Sequence, residues 1–315
     1  MIRLRPGVFS IMAVLLFAAL LPGAAAATVE IYPGPGIDTY RSTRYTVDVS
    51  TDGTNWTPAY VYQFSRKSVV TLWWPGQSPS VSFVTIGADE TIRARVSKIG
   101  GSVTGLDASP KSKPIAGAKV ENGVATGTLR PGDKYWLTIN GDDANPLFIF
   151  VDEPKPIVPA GATYFGPGIL EIAPSAGDHY KAKSGETIYL DGGAWVRGNI
   201  DVHGTTGVHI MGPGVLSGDL WSGEHQGSTA LPFNQFTGYA MITGDFSYTS
   251  DGAVVEGITI VDSPGYNFYG GTERASGVKI FSPWFYSTDA FQGVPHVDHS
   301  FVFNGDNIFM MGWAG

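Results

Sequence analysis

Two textures of hydrophobic and polar positions divide the chain. From Thr28 to about Pro156, short runs alternate apolar and polar residues, as in Tyr45–Ser50, and end in turn residues such as Asp52-Gly53-Thr54-Asn55. Further runs of this kind are Ala59–Phe64, Val69–Trp74, Val81–Ile86, Ile92–Val96, Val120–Thr128, Tyr135–Ile139 and Leu147–Val151. Many short strands at such spacing predict a β-sandwich. Pro154, Pro156 and Pro159 then read as a stiff connector. From Tyr164 onward the alternation fades, and brief apolar runs recur between Gly and Asn. Among them are Thr187–Leu190, Ala194–Val196, Val208–Met211, Val254–Ile260 and Val278–Phe281. Gly precedes an apolar triplet at Gly207, Gly257 and Gly277. Recurrence of β-branched runs without helical periodicity predicts a parallel β-helix. Trp221–Phe246 interrupts the pattern and reads as a long loop over one face.

The chemistry concentrates near the end of this region. The runs Val278–Tyr286 and Val297–Phe303 each lead into a polar tip with an aspartate, Ser287-Thr288-Asp289 and Asn304-Gly305-Asp306. Overlaid at a step of 17 residues, Ile280 matches Val297, Phe285 matches Val302 and Asp289 matches Asp306. Neighbouring strands lie ~4.8 Å apart, so this register would stack two carboxylates on successive coils. Such a pair suits acid/base cleavage of a glycosidic bond. The competing reading makes both aspartates simple turn residues.

Composition narrows the setting. The 315 residues include 42 Gly, 21 Pro and no Cys, and 15% are charged. An all-β chain is expected from the many β-branched and aromatic residues. Residues 1–27 read as a signal peptide: Arg3 and Arg5, the apolar Ile11–Leu21, then Ala25-Ala26-Ala27. The organisation expected is therefore a leader over 1–27, a β-sandwich over 28–158 and a β-helix over 159–315. Secretion follows, with a core large enough to dispense with disulfides. The leader's loss takes the formal charge from −8 to about −10, which disfavours nucleic acid as a partner. No membrane span or metal site is expected, and His296 and His299 lack ligand spacing.

Several segments carry a resemblance. Thr163–Gly168, Ile188–Gly198 and Met211–Gly218 resemble the first coils of polysaccharide-cleaving β-helix enzymes. With Val255–Pro264, Ser282–Asp289 and the preceding sandwich, the chain resembles glycoside hydrolase family 49, the dextranases and isopullulanase. The resemblance implies a right-handed parallel β-helix, here cut short at its C-terminal end. It also implies inverting α-glucan hydrolysis, most specifically of α-1,6 linkages in dextran, by three aspartates and no cofactor. Asp289 matches the first. An ungapped match places Asp306 as the second of an adjacent pair and puts Gly305 where the family has its general acid. A shifted match, as in polygalacturonases, makes Asp306 the acid and Asn307 the substitute. Either way one carboxylate is replaced, which leaves isopullulanase-type cleavage or a glucan-binding protein without chemistry as alternatives.

Charge bears on the substrate. Enzymes acting on uronic acids offer Lys or Arg to each carboxylate, yet Lys279 is the one such residue between Gly277 and Gly315. A neutral polysaccharide, dextran or a related α-glucan, is the expected partner of a monomer. Asp289 and Asp306 are the candidate catalytic residues. Trp284, Tyr286, Asn304 and Asn307 are the candidate substrate contacts, the aromatics by stacking. The final strands, near Phe301–Met311, are expected to present an apolar edge.

Overall fold

A computed structural model of the chain describes residues 28–65, 80–172, 179–219, 240–244, 252–263, 265–282, 289–305 and 307–310. The proposed leader, the Val69–Trp74 run, Trp284, Tyr286 and Asp306 lie outside the described residues. The fold is all-β, with a two-sheet sandwich leading into a parallel β-solenoid.

In the sandwich, one sheet contains Val29–Ile31, Tyr62–Ser65, Ser80–Ala88, Leu106–Ser109, Lys134–Ile139 and Leu147–Asp152. The other contains Tyr45–Ser50, Thr57–Ala59, Ile92–Lys98, Ala116–Glu121 and Val124–Leu129. Two runs expected as single strands are split. Ala59–Phe64 divides between the two sheets. Val120–Thr128 is a hairpin turning at Asn122-Gly123, both with positive φ (51° and 79°), the backbone that a tight hairpin turn demands.

Ser80–Ala88 and Leu147–Asp152 run parallel at the centre of their sheet and are buried on both faces. Successive side chains point oppositely, so Val84, Ile86, Leu147 and Ile149 enter the sandwich core. Phe83, Phe148 and Phe150 face the other way, onto the solenoid. This double burial is why Leu147-Phe148-Ile149-Phe150-Val151 is an unbroken apolar run.

Among the described residues the solenoid has three parallel faces of six strands each. The first face carries Thr163–Phe165, Thr187–Leu190, His209–Met211, Ala253–Glu256, Thr272–Ser276 and His296–Asp298. The second carries Gly168–Glu171, Ala194–Arg197, Val215–Ser217, Thr259–Val261, Lys279–Ser282 and Phe301–Asn304. The third carries Tyr180–Lys181, Ile200–Asp201, Ile242–Thr243, Phe268–Tyr269, Phe291–Gln292 and Phe309–Met310. Columns such as Ile188–Ile210–Val255–Ala275 and Val196–Leu216–Ile260–Ile280 fill the interior. Ile242–Thr243 is a strand inside the segment expected to be one long loop; residues 221–239, 245 and 246 of that segment are not described.

The bends between faces revise two expected strands. Val254–Ile260 turns from the first face to the second at Gly257, and Val297–Phe303 does so at His299. Gly257, Gly277 and His299 adopt left-handed φ of 75°, 64° and 50° at equivalent corners. Glycine takes that conformation readily; His299 does so at a cost. Gly207 belongs to a different corner, before the first face, so its likeness to Gly257 and Gly277 is not positional.

The outer side of the second face packs on the sandwich through an aromatic seam. The Phe281 ring centroid lies 5.3 Å from Phe83, 5.1 Å from Phe148 and 5.9 Å from Phe150. Tyr40 stacks on Trp195 at 3.9 Å. Lys279 is fully buried in this seam, paired with Asp152 of the sandwich.

Candidate functional site

The observed register changes how the two tips relate. Ile280 pairs with Val302 and Phe281 with Phe303, while Val297 pairs with Ala275. The step between the fifth and sixth coils is therefore 22 residues on the first two faces. On the third face, where Phe291 pairs with Phe309, it is 18. The chain from Ser282 to Phe291 is longer than that from Asn304 to Phe309, so no single period fits both. The 17-residue overlay is corrected accordingly. Asn307 donates to the Asp289 carboxylate: its backbone N–H and its Nδ2 each lie 3.2 Å from Asp289 Oδ1.

Asp289 is 1% exposed and stands at the corner between the second and third faces. Its main-chain carbonyl accepts from the backbone N–H and the Nδ2 of Asn267, at 2.9 and 3.2 Å. Ser282 Oγ donates to Asn267 Oδ1 at 3.0 Å and accepts from the backbone N–H of Ser263 at 3.2 Å. Asn304 Nδ2 donates to the Asn307 carbonyl at 2.8 Å. A hydrogen-bonded path thus runs over the fourth, fifth and sixth coils through Ser263, Ser282, Asn267, Asp289, Asn307 and Asn304. Buried polar groups are retained at a cost unless bonded in this way.

Of the residues predicted for the site, Asp289, Asn304 and Asn307 come together. Asn304 ends its strand half-buried, and Asn307 is exposed. Sequence reasoning missed Asn267, Ser263 and Ser282. Ser282 was legible in principle, since it follows Phe281 as Asn304 follows Phe303, but only once the 22-residue step is known.

A second carboxylate group flanks this corner. Asp219 Oδ1 accepts from Arg197 Nε at 2.7 Å, and its Oδ2 accepts from the Tyr40 hydroxyl at 2.5 Å. Burial and this bond push the Tyr40 phenol pKa up. Asp262, one coil above, is 2% exposed with a left-handed φ of 56°. Arg197 also pairs with Glu171 at 2.6 Å. Asp219, bonded to a guanidinium, ties Tyr40 of the sandwich to the solenoid. Among the described residues no group of three or more His, Cys, Asp or Glu is placed to hold a metal ion. No helix among them is long and apolar enough to cross a membrane.

The corner offers a buried carboxylate, amides and hydroxyls, which is the equipment of proton transfer and of hydrogen bonding to sugar hydroxyls. No protein-family profile matches the chain, and no curated protein matches it. Among solved structures it is similar to Dex49A from Penicillium minioluteum, with a TM-score of 0.57 and 18% sequence identity. That likeness covers 85% of this chain and 64% of Dex49A, so the chain spans somewhat less than two thirds of its neighbour's length. At this identity the likeness establishes the fold, a β-solenoid.

Proposed function

We propose that the chain is a glycoside hydrolase of the β-helix type acting on a neutral α-glucan. The specific reading is endo-hydrolysis of α-1,6 linkages in dextran by a secreted monomer. The observation that carries it is Asp289, a carboxylate buried at a solenoid corner amid amides and hydroxyls from three coils. The motif resemblance to family 49 and the fold likeness to Dex49A support it. In this reading Asp289 is the base that takes a proton from the attacking water. Asp306, two residues beyond Asn304, protonates the leaving glycosidic oxygen, because Gly305 has no group to do so. General acid–base groups contribute ~10²–10⁴-fold. Asp289→Asn should therefore lower reducing-sugar release from dextran by about that factor while leaving Tm nearly unchanged. Wild-type protein that releases nothing from dextran or pullulan overturns the proposal. Release from pullulan alone moves the substrate to the isopullulanase type.

Two observations favour a second reading, a glucan-binding solenoid without chemistry. Gly305 stands where the resembled family has its acid, and Asp289 is buried with Asn307 bonded to its carboxylate. Retention on immobilised dextran, equal in wild type and Asp289→Asn and without hydrolysis, would establish it. Measurable turnover removes it.

A further inference from the structure

A concave site lies across the second face from Asp289. It is a cleft of about 590 Å³ between the sandwich and the corner joining the first and second faces. Small-molecule sites commonly enclose ~300–1,000 Å³. Its solenoid wall is largely bare backbone, because Gly212, Gly257 and Gly277 stack there on successive coils. Of the three left-handed corners, Gly257 and Gly277 send no side chain into the space, and His299 lines it on the next coil.

The walls are held at a fixed separation. Lys279 leaves the second face fully buried, donates to the Gly257 carbonyl at 2.8 Å and pairs with Asp152 on the sandwich side. A buried ion pair that spans two domains resists sliding, since parting it strands a charge. The cleft is therefore a shaped site and not slack between domains.

Its charges are largely balanced from within. Lys134 lies 3.6 Å from Asp152, Lys155 Nζ lies 2.7 Å from Asp191, and Glu256 lies 2.8 Å from His209. Burial pushes the Lys134 ammonium pKa down, with Asp152 opposing that shift. An anionic ligand would meet Glu153 and Glu256; a cationic one would meet Lys134 and Lys155. A neutral ligand rich in hydroxyls finds carboxylate acceptors, ammonium donors and apolar surface from Pro154, Pro156 and Met211. Glu153 is exposed and lines the cleft without an ion pair among the described residues, able to accept two hydroxyl hydrogens.

We propose that this interdomain cleft is a second, non-catalytic binding site for a neutral oligosaccharide. That the oligosaccharide is an α-glucan rests on the function proposed above; that the ligand is neutral and hydroxyl-rich rests on the cleft alone. The site would hold a polysaccharide chain away from the cleavage corner and raise its local concentration there.

The test uses the full chain carrying Asp289→Asn, so that hydrolysis does not consume the probe. Isomaltotriose, maltotriose and cellotriose are titrated calorimetrically and against the methyl resonance of Met211, assigned through Met211→Leu. Two binding events with isomaltotriose and a shift of the Met211 methyl are expected. A hydrogen bond to a charged group is worth ~1.5–3 kcal/mol, so adding Glu153→Ala should weaken one event by about 10-fold or more and leave the other unchanged. Glu153 is exposed, so its removal should not disturb folding. Shifts with maltotriose or cellotriose alone keep the cleft and correct the glucan. A Met211 shift in this protein, together with wild-type protein that releases nothing from dextran or pullulan, ends the proposed function and keeps the site. A single event that ignores Glu153→Ala, with Met211 unmoved at saturation by every probe, overturns the cleft proposal.

Discussion

Asp191 and Asp289 are both buried at corners of one solenoid, yet they are held by different kinds of partner. Asp191, where the first face turns to the second, accepts from Lys155 Nζ, the Tyr164 hydroxyl and the Gly192 N–H at 2.7, 2.5 and 2.7 Å. One of those partners is a cation from the connector, so the carboxylate pins the connector to the solenoid. The Asp289 carboxylate accepts from the backbone and side-chain amides of Asn307, and its carbonyl joins a path of Asn and Ser side chains. The first corner therefore turns on backbone: glycine makes the bend and an ion pair fastens it. The second corner turns on side chains, a path of Asn and Ser from three coils around a buried carboxylate. That difference is the physical ground for placing chemistry at Asp289.

The comparison breaks first at the seam lying between the corners. Phe281 touches both domains, with Phe83 stacked 5.3 Å away and Phe148 edge-on at 5.1 Å. Truncating a buried Phe costs ~3–5 kcal/mol. Phe281→Ala should cost about that in chemical denaturation and degrade both corners together. If it lowers stability by under ~1 kcal/mol, the two corners are not braced by one face.

A smaller effect separates the corners from each other. Ser282→Ala removes the donor to Asn267 Oδ1 and the acceptor for the Ser263 N–H. Leaving buried groups unsatisfied costs ~1–3 kcal/mol. Gly257→Ala forces a left-handed alanine whose Cβ would lie 3.3 Å from the Gly212 carbonyl, at ~1–2 kcal/mol. Thermal melts should show losses of those sizes for both. Dextran turnover per folded molecule should fall only for Ser282→Ala, because only that change alters the support of Asp289. Equal activity in the two variants would erase the functional distinction between the corners.

Much of this was legible in the sequence, and the rest was hidden for a definite reason. The change of texture near Tyr164 marks the passage from sandwich to solenoid because alternation tracks one-sided burial, which the solenoid lacks. Leu147–Val151 reads only as one more sandwich strand, and nothing in it says that the solenoid covers Phe148 and Phe150. Register was the weak point. A one-dimensional overlay assumes equal coils, whereas the fifth coil carries four more residues between its second and third faces than the sixth. That excess moves Asn307 next to Asp289. The sequence says of His299 only that it lacks metal-ligand spacing, and its observed position is a bend that glycine fills in the two coils below. Asn267 gives no signal until the coils are stacked.

The smallest effect concerns acid and sharpens the account of the first corner. Burial disfavours the charge on Asp191, but Lys155, the Tyr164 hydroxyl and the Gly192 N–H outweigh it and hold its pKa below the usual carboxylate range. Nearby, burial also opposes the charge on Glu186, while Thr163, Tyr180 and the Lys183 N–H hold its pKa down. A depressed folded pKa means that the unfolded chain binds more protons as pH falls. The stabilisation is therefore fully present above the unfolded values of ~4 and is lost as pH drops through the folded ones. Stability measured by denaturant titration should be level near neutral pH and decline below about pH 4. Asp191→Asn should flatten that decline by about 1 kcal/mol, the size of one such hydrogen bond, and lower stability by a similar amount at pH 7. If Asp191→Asn leaves the limb untouched, the connector is fastened to the solenoid by packing and not by this carboxylate.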